Sequence, residues 1–167
     1  MFLRWQLPRN WRMTFTLAKI IKVMGVNSEY QPGQHVLMWD FDGESLETVV
    51  EELSWAQKRY NLPPVHIFSG RPGGESFHAY CFKLVGMREM LRVLAETPSV
   101  DYGFLKWTVF RGHATLRIGP KDTHIPFQIM VLPSAVAPDI EPKALASFVE
   151  YETLPRQGAA RAPEESR

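Results

Sequence analysis

His35-Val36-Leu37-Met38-Trp39-Asp40-Phe41-Asp42-Gly43 is the stretch on which the reading of this chain turns. Residues 35–39 form a short, mostly apolar run and predict a strand that ends at the acidic pair. Successive side chains of a strand point to opposite faces, so Asp40 and Asp42 share one face while Phe41 turns into the core. Two carboxylates this close repel each other unless a cation sits between them. Magnesium or manganese, shared with phosphate oxygens, is the usual solution. The same residues also read as a plain strand end, with Asp42-Gly43 serving the turn.

Downstream, Ser45 opens a helix over 45–60, with Leu46, Val49, Val50, Leu53 and Ala56 along one face and Glu51, Glu52, Lys58 and Arg59 off it. Asn61 and Pro63-Pro64 end it. Residues 65–69 and 77–84 read as strands around the glycine-rich loop 70–74, in a pairing compatible with a hairpin. A third helix follows over 87–95. Residues 103–110 and 115–119 read as two more strands joined through Arg111-Gly112, and 125–132 as another. Upstream, Trp11, Phe15, Ala18, Ile21 and Met24 recur at three- to four-residue spacing between Asn10 and Gly25, which predicts an amphipathic helix. A closing helix is expected over 142–151. The fold expected is therefore α+β: a ferredoxin-like or RRM-like antiparallel sheet, with helices on one face and the other free for a ligand. One domain over 1–152 is expected, with a helical segment 1–34, a core 35–152 and a disordered tail 153–167.

Composition narrows the function classes. The net charge of +1 over 167 residues assigns any nucleic-acid contact to a local patch rather than to overall charge. The single cysteine, Cys81, rules out an internal disulfide and a zinc site built on several thiolates, and it suits a reducing compartment. Arg4, Arg9, Arg12, Lys19 and Lys22 interrupt the hydrophobic residues near the start, so no signal core and no membrane span is read. A cytoplasmic setting is expected.

Two further clusters carry chemistry. In Ser69-Gly70-Arg71 through Ser76-Phe77-His78, the glycines let backbone N–H groups approach a phosphate, Arg71 forks onto it, and His78 opens the next strand as a donor. The bland alternative is a flexible hairpin loop with a surface histidine. In the later segment Asp101 offers a third carboxylate, and Arg117 and Lys121 offer cations for a triphosphate or a template backbone. Phe104, Trp107 and Phe110 read as core or sheet surface before they read as a base-stacking platform.

Taken together, Met38-Trp39-Asp40-Phe41-Asp42, Ser69-Gly70 through Ser76-Phe77-His78, and Val100-Asp101 with Thr115-Leu116-Arg117 resemble the three motifs of the archaeo-eukaryotic primase superfamily, the primase small subunit and primase-polymerase group, as a minimal catalytic core. The similarity spans about residues 35–132. The resemblance implies a nucleotidyltransferase that makes or extends primers from nucleoside triphosphates on a DNA template. It implies two magnesium or manganese ions on Asp40, Asp42 and Asp101, with Ser69, Arg71, Ser76, His78, Arg117 and Lys121 around the nucleotide. A helicase or second primase subunit is an expected partner.

Two rivals stand beside it. Trp39-Asp40-Phe41-Asp42-Gly43 and Ile67-Phe68-Ser69-Gly70-Arg71 also resemble the first two motifs of haloacid-dehalogenase-like phosphatases, with Asp40 as nucleophile, Asp42 as general acid/base and Ser69 on the phosphate. That reading needs strands 36–39 and 65–68 adjacent and parallel, whereas the primase reading puts His78 beside Asp40. The third reading is an RRM-like nucleic-acid-binding module without catalysis.

Overall fold

The computed structural model describes residues 2–7, 11–16, 21–70, 75–120, 124–141 and 148–153, with side chains in the stretches between 24 and 141. It divides into two units, Met24–Glu150 and Met1–Val23 with Tyr151–Arg167. The division falls inside the span 1–152 that was expected to form one domain.

In the smaller unit β1 (Phe2–Leu7) and β2 (Trp11–Thr16) pair antiparallel, from Phe2 opposite Thr16 to Leu7 opposite Trp11. The next strand, β3 (Ile21–Asn27), lies mostly in the larger unit, from Met24 onward. Where it is described, over 11–16 and 21–25, the helix expected between Asn10 and Gly25 is replaced by strands, and residues 17–20 lie outside the described residues. Trp11, Met13 and Phe15 alternate with Arg12, Thr14 and Thr16, a period of two that the three- to four-residue spacing had masked. The closing helix expected over 142–151 is likewise a strand where it is described, β10 (Phe148–Thr153). Its first part, 142–147, and the tail from 154 lie outside the described residues.

The larger unit is α+β, with antiparallel sheets and flanking helices. Its five-stranded sheet runs β4 (Glu29–Gln31), β5 (Gln34–Asp42), β7 (Ser76–Val85), β6 (Val65–Ser69), β9 (Phe127–Leu132). Each neighbouring pair is antiparallel. β5 and β6 are joined through α1 (Leu46–Tyr60) and run parallel to one another, with β7 inserted between them. α1 starts where Ser45 accepts a hydrogen bond from the Thr48 amide at 3.1 Å, and it ends at Asn61 in the left-handed conformation.

Helices α2 (Met87–Ala95) and α3 (Tyr102–Arg111) follow β7. Residues 103–110 were expected to be a strand. Asp101 instead accepts a hydrogen bond from the Phe104 amide as the helix cap, and Gly112 closes the helix at φ +74°. Phe104, Trp107 and Phe110 are three residues apart, which is helical spacing; Phe104 is buried and Phe110 is 80% exposed.

One face of the sheet carries Trp39 and Phe41 of β5, Phe77, Ala79 and Cys81 of β7, and Val65 and Ile67 of β6. These join Val49 and Leu53 of α1, Met90 and Leu94 of α2 and Phe104 of α3 in one core. Trp39 marks it as the helix side, because its indole N–H donates to Thr97 Oγ1 just beyond α2 at 3.3 Å. The other face carries Asp40, Asp42, Ser76, His78, Tyr80, His66 and Phe68.

β8 (Thr115–Arg117) pairs with β3, Gly25 opposite Arg117 and Asn27 opposite Thr115. Ser28 locks this pair to β5. Its amide donates to the Ala114 carbonyl, its hydroxyl accepts from the Ala114 amide at 2.9 Å, and His35 Nδ1 lies 3.2 Å from the same hydroxyl. No helix among the described residues is long and apolar enough to cross a membrane.

Candidate functional site

The insertion of β7 beside β5 assembles the site. Asp40 faces His78 and Asp42 faces Ser76 across the ladder, so two segments distant in the sequence converge on one face. Asp40 Oδ1 and His78 Nε2 are 3.6 Å apart. The His78 side chain is only 7% exposed. Burial, joined by the positive charge of Arg117 and partly opposed by Asp42, pushes its pKa down to about 4. His78 is therefore neutral at physiological pH, and its contact with Asp40 is not an ion pair there. Its Nδ1 is buried and closes no hydrogen bond, and a backbone contact with Arg117 offsets a small part of the downward shift. The tautomer with the proton on Nε2 turns a donor rather than a lone pair towards the Asp40 carboxylate.

In the metal-free protein this has a pH consequence. Between pH 6.5 and about 4 the unfolded chain protonates His78 while the folded chain does not, so stability falls as pH falls through that window. At about 1.4 kcal/mol per pKa unit the loss approaches roughly 3 kcal/mol. His35, lowered by burial against the opposing charge of Glu29, adds in the same direction. Urea unfolding at pH 7, 5.5 and 4.5 should give a shallower acid decline for His78→Asn than for the wild type. Equal slopes would refute the assignment.

Gly70 closes the site from the loop side. Its amide donates to the Ser76 carbonyl at 2.7 Å, and a Cβ at this position would lie 2.8 Å from Ser76 Oγ and 3.4 Å from His78 Nε2. The Gly70 carbonyl accepts from the Arg117 guanidinium at 2.8 Å, and a second guanidinium nitrogen donates to Gly119 O. Arg117 thus ties β8 to the loop and holds a positive charge near His78. Gly70→Ala is expected to cost about 1–3 kcal/mol by overpacking. Chemical denaturation of Gly70→Ala, Ser76→Gly and the double variant checks this, because Ser76→Gly removes the 2.8 Å contact and should recover part of the loss.

Asp101 is tied to the same strand end by its amide, which donates to the Asp40 carbonyl at 2.8 Å. Its carboxylate is used differently from expectation: Oδ1 accepts from the Phe104 amide at 2.7 Å as the cap of α3. Two carboxylates two residues apart on one strand suit a hard cation that completes its shell with water and phosphate oxygens. Among the described residues no group of three His, Cys, Asp or Glu is placed to hold a metal.

Ser69 falls on the wrong side. Its ladder partner is Phe77, itself opposite Phe41, so the pleat directs Ser69 to the helix face, away from Asp40 and His78. Ser76 is on the site face. Arg71 and Lys121 lie outside the described residues.

The sequence reading passed over His66, Phe68 and Tyr80. They share the face of His78, with the Phe68 and Tyr80 rings edge to face at 5.3 Å. The alternation within 65–69 and 76–80 was the available signal. No family model, no curated protein and no solved structure matches the chain.

Proposed function

We propose that this protein is a metal-dependent nucleotidyltransferase of the primase-polymerase kind, built on an RRM-like sheet, that makes or extends primers from nucleoside triphosphates on a DNA template. The observation that carries the reading is the pairing of Asp40 with His78 and Asp42 with Ser76 on neighbouring antiparallel strands. β5, α1, β6 and β7, with β7 inserted between the other two strands, also follow the connectivity of a ferredoxin-like half.

Asp40 and Asp42 would hold magnesium or manganese, which when bound stabilises charge on the phosphate oxygens during in-line attack. His78, neutral above about pH 4, would turn its Nε2–H from the Asp40 carboxylate to a phosphate oxygen once a metal occupies Asp40, offering a hydrogen bond rather than a formal charge. Ser76 adds a hydroxyl beside Asp42. Arg117 supplies the nearby positive charge, and its bond to the Gly70 carbonyl holds that residue against Ser76 and His78, where a side chain would crowd the site. A helicase or a second primase subunit is the partner that such a minimal core would work with.

The phosphatase alternative loses support from the same arrangement. β7 separates β5 from β6, and the Ser69 hydroxyl is on the opposite face from Asp40. The non-catalytic alternative, an RRM-like nucleic-acid-binding module, draws on the commitment of the Asp101 carboxylate to its helix cap.

A primer-synthesis and extension assay with magnesium or manganese tests the proposal. The wild type should give product and Asp42→Ala and His78→Ala should not. Phosphatase turnover without primer product would overturn it. Nucleic-acid binding without any product and without metal-dependent nucleotide binding would leave the module reading in its place, whereas metal-dependent nucleotide binding that vanishes in Asp40→Ala would exclude it.

A further inference from the structure

Beside the Asp40–His78 pair, on the same face of the sheet, lies a cavity of about 390 Å³ bordered by Val26, His66, Phe68, Tyr80, Ile118 and Gln128. We infer that this cavity takes the base of the nucleotide whose phosphates reach Asp40, Asp42 and His78. The inference rests on the nucleotide reading for its orientation, and on its own geometry for the rest.

Three features of the cavity point to a planar heterocycle. The first is its shape. The volume lies within the ordinary range for a small-molecule site, and its walls are mainly aromatic and aliphatic. Phe68 and Tyr80 meet edge to face at 5.3 Å, and His66 meets Phe82 in the same way at 5.3 Å, so the rings brace one another into a firm wall.

The second is its polar edge. His66 Nδ1 and Gln128 Oε1 are 3.0 Å apart. If the imidazole donates, its Nε2 is left as an acceptor and the Gln128 amide nitrogen as a donor. If the amide is turned round, His66 Nε2 becomes the donor and the Gln128 oxygen the acceptor. Either way the cavity presents one donor and one acceptor, which is what the edge of a nucleobase requires and a purely apolar ligand does not use.

The third is continuity. Phe68 is the direct ladder partner of His78, so the aromatic wall begins one strand over from the phosphate end, at a spacing of about 4.8 Å. A ligand with a ring at one end and phosphates at the other can span both without leaving the sheet face.

The test separates the two ends of the ligand. Binding of adenosine, of inorganic tripolyphosphate with manganese, and of ATP with manganese is measured on the full chain by calorimetry, for the wild type, Phe68→Leu and Gln128→Ala. Phe68→Leu should weaken adenosine and ATP at least fivefold and leave tripolyphosphate unchanged. Gln128 is exposed, so Gln128→Ala removes one half of the polar edge with little risk to the fold. It should weaken both base-bearing ligands by about threefold and leave tripolyphosphate unchanged. Unchanged ATP affinity in both variants would overturn the base cavity while leaving the phosphate site standing. Adenosine binding that depends on Phe68, in a protein that does not bind tripolyphosphate with manganese, would support the cavity and refute the nucleotidyltransferase reading. Failure of both adenosine and ATP to bind the wild type would overturn both.

Discussion

Asp40→Asn is expected to reduce manganese binding by more than the roughly 10–100-fold that follows from losing an outer-shell partner of a metal ligand. Asparagine keeps the size of the side chain and a polar neighbour for His78, so the strand and its pairing stay in place. What disappears is one of two anionic oxygen ligands, and with it most of the charge that draws a hard cation to the strand end. Neutralising one of two neighbouring carboxylates relieves repulsion while weakening the pull of the Asp40 carboxylate on the His78 donor, so the stability of the metal-free protein should change far less than its manganese affinity. Manganese binding followed by electron paramagnetic resonance, with thermal unfolding in chelator, reads both effects. A variant that binds manganese as the wild type does would remove the carboxylate pair from the metal site. A variant that loses binding only because it has unfolded would show itself in the melting curve.

Trp39→Ala is expected to cost about 3–5 kcal/mol, the range for removing a large buried aromatic side chain. The indole is completely buried on the helix side. It also donates to Thr97 Oγ1, which in turn donates to the Val93 carbonyl at 2.9 Å, so its loss breaks a chain of bonds that fastens α2 to the sheet. Against a typical total of about 5–15 kcal/mol, this is enough to unfold a substantial fraction of the protein. Trp39→Phe keeps much of the apolar body and loses the N–H donor, so it should fall between wild type and alanine, with the bond itself worth about 1 kcal/mol. Equilibrium urea unfolding of the three proteins orders them. Equal midpoints for tryptophan and alanine would contradict the packing described.

Much of the central sheet was legible because each of its signals was strong and local. The run before Asp40, the Ser45 cap with Asn61 behind it, and the apolar spacing over 87–95 each specify one element without help from distant residues. The expected placement of the strand carrying His78 beside the acidic strand agrees with the observed ladder. Residues 103–110 misled because aromatic and β-branched residues favour strands, while the capping of Asp101 onto Phe104 decides the matter through a single bond. Ser69 misled for a different reason. Which face it occupies depends on the register between β6 and β7, and a shift of one residue would have put it beside His78. The aromatic cavity was the least legible part, since it needs β8 and β9 placed around the sheet before Phe68 and Tyr80 acquire a common purpose.

The position of β7 also shapes how the chain reaches this state. Asp40 and His78 are separated by 38 positions, whereas Ser69 and Phe77 meet across a short hairpin, so loop closure favours the β6–β7 pairing before β5 docks. During synthesis from the N-terminus, the apolar run 36–39 leaves the ribosome well before the strand that will cover its edge. An uncovered apolar edge is a template for aggregation, and charge at its flank is the standard protection. Asp40, Asp42, Glu44 and Glu47 stand at that flank. By that rule, neutralising Asp40 and Asp42 together is expected to lower soluble yield even where the finished fold tolerates the change.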